Sequence, residues 1–266
     1  MVTTKGGRGG EGGMRIGLLL CDHIEERFAG VSEDYPALFA ARFGQFGAAH
    51  GTPHWRVYDL PAGQFPRTVD EFDLCLITGS RASVYEDLPW VEQLLDWIRQ
   101  LWQARIPTAG ICFGHQAIAQ ALGGQVEKAE TGWGGGVHQL TVTRAEAWME
   151  PFQPSLDLLY LHQDQVVRLP EGAQPLGRTD HCREAFYRVG TTMVGIQAHP
   201  ELSPAYLATV LADRRERMGE RVVEEALASL ARPTDAGVVA RWIDRYLLSS
   251  TSALDASSSS LSPRAF

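Results

Sequence analysis

Lysine is nearly absent from this sequence, occurring only at Lys5 and Lys128, so arginine supplies almost all of its 24 positive charges. Chemistry through a Schiff-base lysine therefore has almost no candidate. Cysteine is also sparse: Cys21, Cys75, Cys112 and Cys182 lie far apart and form no CxxC pair. That fits neither a secreted disulfide framework nor a zinc ribbon, and points to a reducing cytoplasm. The 8 histidines include no HExxH or comparable ligand spacing, so no metal site is expected. A GxxxxGK(S/T) phosphate cradle and an SGGxDS loop are both missing, so neither ATP chemistry nor a cofactor is expected. The longest apolar runs, such as Ile16 to Cys21, are too short to span a bilayer, and the N-terminus carries no signal-peptide core. A formal charge of −8 argues against a nucleic-acid or membrane-surface partner. Small-molecule chemistry is the class that survives these exclusions.

What is present is ordinary globular composition, 44% hydrophobic and 21% charged over 266 residues. Residues 1–13 are glycine-dominated and read as a disordered leader. The Gly7 to Gly12 match to GxGxxG within it precedes any strand, so it is accidental. Residues 249–266 are Ser-rich without periodicity and read as a disordered tail, which leaves one domain over 14–248. Within that domain, apolar runs at Arg15 to Leu20, His54 to Leu60, Asp73 to Thr78 and Pro107 to Ile111 read as strands. Asp34 to Phe43 and Val91 to Trp102 carry apolar residues at three- and four-residue spacing, as amphipathic helices do. The alternation predicts an α/β fold, a flavodoxin-like sandwich with a central, mostly parallel sheet. After Gly123 shorter strands follow around Val137 to Val142, Leu158 to Leu161, Ala185 to Val189 and Thr192 to Ala198. Helices from Pro204 to Leu248 close the domain.

Two motifs carry chemistry. Gly110-Ile111-Cys112-Phe113-Gly114 sits where a strand ends and a helical pattern from Phe113 to Leu122 begins. This is the cysteine form of the nucleophile elbow, in which glycines permit a sharp turn that exposes the nucleophile at a helix N-terminus. The bland reading is a buried, inert cysteine. The second motif, His199-Pro200-Glu201, follows the last apolar strand. Proline favours extended backbone at His199, and residues two apart in extended chain share a side, so Glu201 can reach the imidazole and fix its tautomer. Its bland reading is a solvated surface turn. Both motifs fall at strand ends, in the chain order nucleophile, base, acid, on the sheet edge where such folds bind ligands.

Here the residues resemble the class I glutamine amidotransferase family, particularly the glutaminase domain of GMP synthase and its free-standing relatives. Gly110 to Gln116 follows the family's GxCxGxQ, and His199-Pro200-Glu201 completes it. Thr78-Gly79-Ser80 occupies the place of the family's oxyanion turn, and His162-Gln163-Asp164 resembles its SHxD segment. Gly136-Val137, just after Trp133, resembles the stretch whose backbone contacts bound glutamine. The likeness covers about Arg15 to Glu201. It implies catalysis by Cys112, His199 and Glu201, with the amides of Ser80 and Phe113, beside Gly79, stabilising the oxyanion. It further implies that Gln116, Gly136, Val137, His162 and Asp164 hold substrate. The family often has glycine where this chain has Ser80, and proline where it has Arg81.

What the resemblance implies is cysteine-dependent hydrolysis of the γ-glutamyl amide of glutamine or a related compound, through a glutamyl thioester. Its partners would be that small substrate, a separate acceptor or synthetase subunit for the ammonia, and a second copy in a homodimer. The competing reading is a non-catalytic amidotransferase-like module. Such a module would be expected to lose Cys112, His199 or Glu201, and all three are present.

Overall fold

The computed structural model describes residues 13–259. The expected strands form, with ends displaced by a few residues at most on the N-terminal half. They are β1 (Arg15–Leu20), β2 (His54–Asp59), β3 (Leu74–Ile77) and β4 (Thr108–Ile111). Three helices accompany them: α1 (Tyr35–Arg42), α2 (Pro89–Gln103) and α3 (Phe113–Ala121). Asp34 caps α1 by accepting the Tyr35 amide at 2.9 Å. Gly123, at φ +92°, follows the end of α3 as a glycine stop does.

Beyond α3 come β5 (Gln125–Lys128), β6 (Gly134–Val142), β7 (Ser155–His162), β8 (Asp164–Arg168), β9 (Ala173–Arg178), β10 (Phe186–Val189) and β11 (Met193–Ile196). The main sheet has nine strands in the order β2-β1-β3-β4-β11-β10-β9-β6-β7. Strands β2, β1, β3, β4 and β11 are parallel, and the other four extend the sheet as antiparallel neighbours. Strands β5 and β8 pair separately.

Strand alternation divides the core between the two faces of the sheet. Ile16, Leu18, Leu20, Leu74 and Leu76 pack on one face with Phe39 of α1. Leu19, Cys21, Cys75 and Ile77 pack on the other against Val91, Leu94, Ile98 and Leu101, the apolar stripe of α2. Each such side chain contributes about 1.5–3 kcal/mol by leaving water. Fixing both faces fixes the strand ends, and Cys112 and His199 lie at the carboxyl ends of β4 and β11.

The C-terminal helices are α4 (Pro204–Asp213), α5 (Arg215–Met218), α6 (Glu220–Ser229) and α7 (Ala236–Ser259). Helix α7 continues through Ser259, into the stretch that the sequence reads as a tail. The Ser250 hydroxyl donates to the carbonyl of Tyr246 at 2.8 Å and reaches that of Thr191 at 2.6 Å, so a buried serine is satisfied inside the helix and tied to the sheet. The leader and its GxGxxG match, residues 1–12, and the last seven residues of the tail lie outside the described residues.

Candidate active site

Cys112 joins β4 to α3 with φ +51° and ψ −99°, the left-handed side that a residue bearing a Cβ adopts only under strain. Its flanking glycines have separate steric reasons. A Cβ on Gly110 would stand 2.3 Å from the Gly114 carbonyl, and one on Gly114 would stand 2.5 Å from the Ile77 oxygen. The elbow is held on both sides: the Cys112 amide donates to the Ile196 carbonyl at 2.9 Å, and that of Gly114 to the Thr78 carbonyl at 3.1 Å. Cys112 is therefore held at the N-terminus of α3, buried to 5% exposure.

His199 is fixed from behind, its amide donating to the Leu159 carbonyl at 2.8 Å. Its Nδ1 hydrogen-bonds Glu201 Oε1 at 2.7 Å, the pairing that extended backbone makes possible. The ring faces the same cavity as Cys112. Burial opposes the charged imidazolium, but the Cys112 sulfur and the Glu201 carboxylate outweigh it and hold the His199 pKa well above its ordinary value. With Nδ1 engaged by Glu201, Nε2 is the nitrogen available to move a proton to or from the sulfur's reaction partner.

Opposite the elbow, Thr78, Gly79 and Ser80 leave β3. A Cβ on Gly79 would approach His199 Cε1 to 3.0 Å. The amides of Ser80 and Phe113 have no acceptor among the described residues, whereas the Arg81 amide is taken by Asp22 Oδ2 at 2.9 Å. Thus the departure from proline at position 81 adds no third free amide. Instead the Arg81 side chain grips Asp22 through Nε and Nη2, and Glu25 through Nη1 at 3.1 Å.

Gln116 stands one helical turn after Cys112 and does not act alone. Its Nε2 donates to the Asp164 carbonyl at 2.8 Å and to Gln197 Oε1 at 3.1 Å, and Gln197 Nε2 donates to Cys112 Sγ at 3.4 Å. Sequence reasoning missed Gln197. The available signal was a glutamine set between Ile196 and Ala198 in an apolar strand, buried to 0% exposure and so obliged to find partners.

His162 donates Nδ1–H to the Asp164 carbonyl at 3.1 Å, and burial, with His181 nearby, lowers its pKa well below the ordinary value. A neutral imidazole is thereby left at the cavity wall. The Asp164 carboxylate accepts the hydroxyls of Ser83 and Tyr85, so it tethers the 83–85 loop. Cys112, His199, Ser80, Gln116, His162 and Asp164 line one cavity of about 250 Å³, with Glu201 behind His199. Gly136 and Val137 do not join them. They lie under α6, where the Val137 amide donates to Ser229 Oγ at 2.8 Å and a Cβ on Gly136 would meet that oxygen at 2.3 Å. Trp133, just before them, does line the cavity.

Among the described residues no group of three or more His, Cys, Asp or Glu side chains is placed to hold a metal ion, and no helix is long and apolar enough to cross a membrane. The chain is 28% identical to γ-glutamyl peptidase 3 of Arabidopsis thaliana, over 82% of this chain and 86% of that protein. To γ-glutamyl peptidase 5 of the same plant it is 30% identical, over 75% and 79% of the two chains. A solved glutamine amidotransferase from Thermotoga maritima superposes with a TM-score of 0.66 at 19% identity, covering 89% of this chain and 97% of that one, which speaks to the fold alone. The family model of class I glutamine amidotransferases matches residues 57–214, which include Cys112, His199 and Glu201, and the chain belongs to that family.

Proposed function

We propose that this protein hydrolyses γ-glutamyl amides through a glutamyl thioester on Cys112. The thiolate attacks the γ-carbonyl, forming an S–C bond, while the amides of Ser80 and Phe113 receive the developing oxyanion. Each such donor is worth about 3 kcal/mol of barrier where one has been removed elsewhere. The imidazolium of His199 gives its proton to the leaving nitrogen as the C–N bond breaks. Neutral His199 then takes a proton from water as the water oxygen attacks the thioester, and S–C cleavage returns the thiolate with glutamate. Glu201 holds the ring in the tautomer that both transfers need.

The observation that carries this reading is the 2.7 Å bond from His199 Nδ1 to Glu201 Oε1, made beside a cysteine held in an elbow. Family membership supports γ-glutamyl amide chemistry, and relatives named γ-glutamyl peptidases support a reaction completed within one chain. The test is an assay of the purified protein against glutamine and γ-glutamyl dipeptides, with glutamate and released amine both quantified. Turnover by the wild type and none by Cys112→Ala is the expected result. Equal turnover by the two would remove Cys112 from the reaction.

A further inference from the structure

Charge around the cavity is unevenly committed. Arg81 is held by Asp22 and Glu25. Arg214, Arg217 and Lys128 also line the cavity, yet none of their side chains has an ion-pair or hydrogen-bond partner among the described residues. Arg214 is the most telling of the three. It sits at the joint of α4 and α5, its backbone fixed by an amide bond to the Val210 carbonyl at 3.0 Å and by its own carbonyl, which accepts the Met218 amide at 2.9 Å. Its side chain is half-buried, and burial lowers the guanidinium pKa; the exposed Arg217 adds repulsion, while Tyr206 and Glu25 act the other way without making a hydrogen bond or ion pair to it. Arg217 lies 5.0 Å from the ring centroid of Trp133, which engages the guanidinium face and leaves its N–H edge for a planar anion.

A half-buried guanidinium that makes no direct ion pair gains most from an anion that bonds it at close range. Glutamine carries a single carboxylate, offset by its own ammonium. A γ-glutamyl amino acid or peptide brings a second carboxylate on the amine part, and Arg214 and Arg217 line the cavity that holds Cys112, each able to bind a carboxylate bidentately. We propose that Arg214 and Arg217 form the subsite for the carboxylate of the leaving amine, making the substrate class γ-glutamyl amides of amino acids or short peptides rather than glutamine.

This rests on the reading of Cys112 as the nucleophile, and the test separates the two. The full-length protein is assayed with γ-glutamylglycine and with its C-terminal amide, which differ only in the second carboxylate. The wild type should favour the free acid in kcat/KM by roughly ten- to hundredfold, as expected for hydrogen bonds to a charged group. Arg214→Met and Arg217→Met should each bring that ratio towards one. Because the ratio is taken within one preparation, partial unfolding does not alter it. A wild-type ratio near one, or a ratio untouched by both substitutions, overturns the subsite. The second outcome would reassign the arginines to the glutamyl group's own carboxylate. If the wild type cleaves neither compound, the hydrolase reading fails. The subsite is then judged by calorimetric binding of the same pair to Cys112→Ala, where equal affinities would overturn it.

Discussion

The carboxylate of Asp22 receives three hydrogen bonds from one residue, Arg81: from its amide at 2.9 Å, its Nε at 2.8 Å and its Nη2 at 2.7 Å. Arg81 directly follows Ser80, whose amide is a candidate oxyanion donor. The contact therefore pins the turn leaving β3 to the loop leaving β1, inside this chain. Asp22→Asn and Arg81→Ala should each lower kcat by roughly 10- to 100-fold with a smaller change in KM, since a misplaced donor is felt in the transition state. Steady-state kinetics with a γ-glutamyl dipeptide decide it. An unchanged kcat would mean that the turn keeps its position without the clamp.

The pH profile tests the His199 couple. His199 has a raised pKa because the charges of Cys112 and Glu201 outweigh burial. A raised histidine keeps its proton through neutrality, so the basic limb of kcat/KM should lie well above pH 6.5. The ion-pair contribution to stability follows the same sign: full below about pH 6.5, and lost as pH rises through the folded value. Glu201→Gln removes one of the two charges, so the limb should move to lower pH. A limb that stays in place would separate Glu201 from the titrating ring.

Gln197 gives a test by sign. Gln197→Leu removes the donor to Cys112 Sγ and should lower kcat/KM by roughly 10- to 100-fold. Gln197→Glu places a like charge beside the thiolate and should be worse. If the glutamate variant matches or exceeds the leucine variant, Gln197 does not face the charged sulfur.

Gly110→Ala and Gly114→Ala should both damage the fold, because each new Cβ meets backbone that cannot move aside. A loss of about 3 kcal/mol or more is expected, read as a clear drop in Tm. A Tm within a degree or two of the wild type would mean that the elbow relaxes more readily than its geometry implies.

These residues also separate what was legible in the sequence from what was not. The elbow and the HPE turn were legible because their constraints are local: glycine where backbones touch, proline before an acid two residues from a histidine. Strands β1, β3 and β4 were legible because their runs are buried almost without a break, and β2 because Trp55, Val57 and Tyr58 are strand-forming residues. Strand β9 was not, since Pro175 and Gly177 break its pattern, and β5 buries only Val126 of its four residues. The Asp22–Arg81 clamp and the Gln197–Cys112 contact join residues 59 and 85 positions apart, and local pattern does not report such pairings. Gly136 and Val137 matched a substrate-binding stretch in sequence, but α6 docks over them through Ser229. The serine-rich end read as a tail because the apolar stripe of α7, which runs from Val239 through Trp242, Ile243 and Tyr246 to Leu247, stops before it, and Ser250 is held by hydroxyl contacts to carbonyls instead.

A glutamyl thioester on Cys112 is a covalent species that mass spectrometry can detect. The protein is mixed with γ-glutamylglycine, quenched in acid within the first turnovers and digested. A glutamyl adduct is expected on the peptide carrying Cys112, absent from those carrying Cys21, Cys75 and Cys182, and absent altogether from Cys112→Ala. Glutamate released at the full rate by Cys112→Ala, with no adduct on any cysteine of the wild type, would contradict the thioester mechanism.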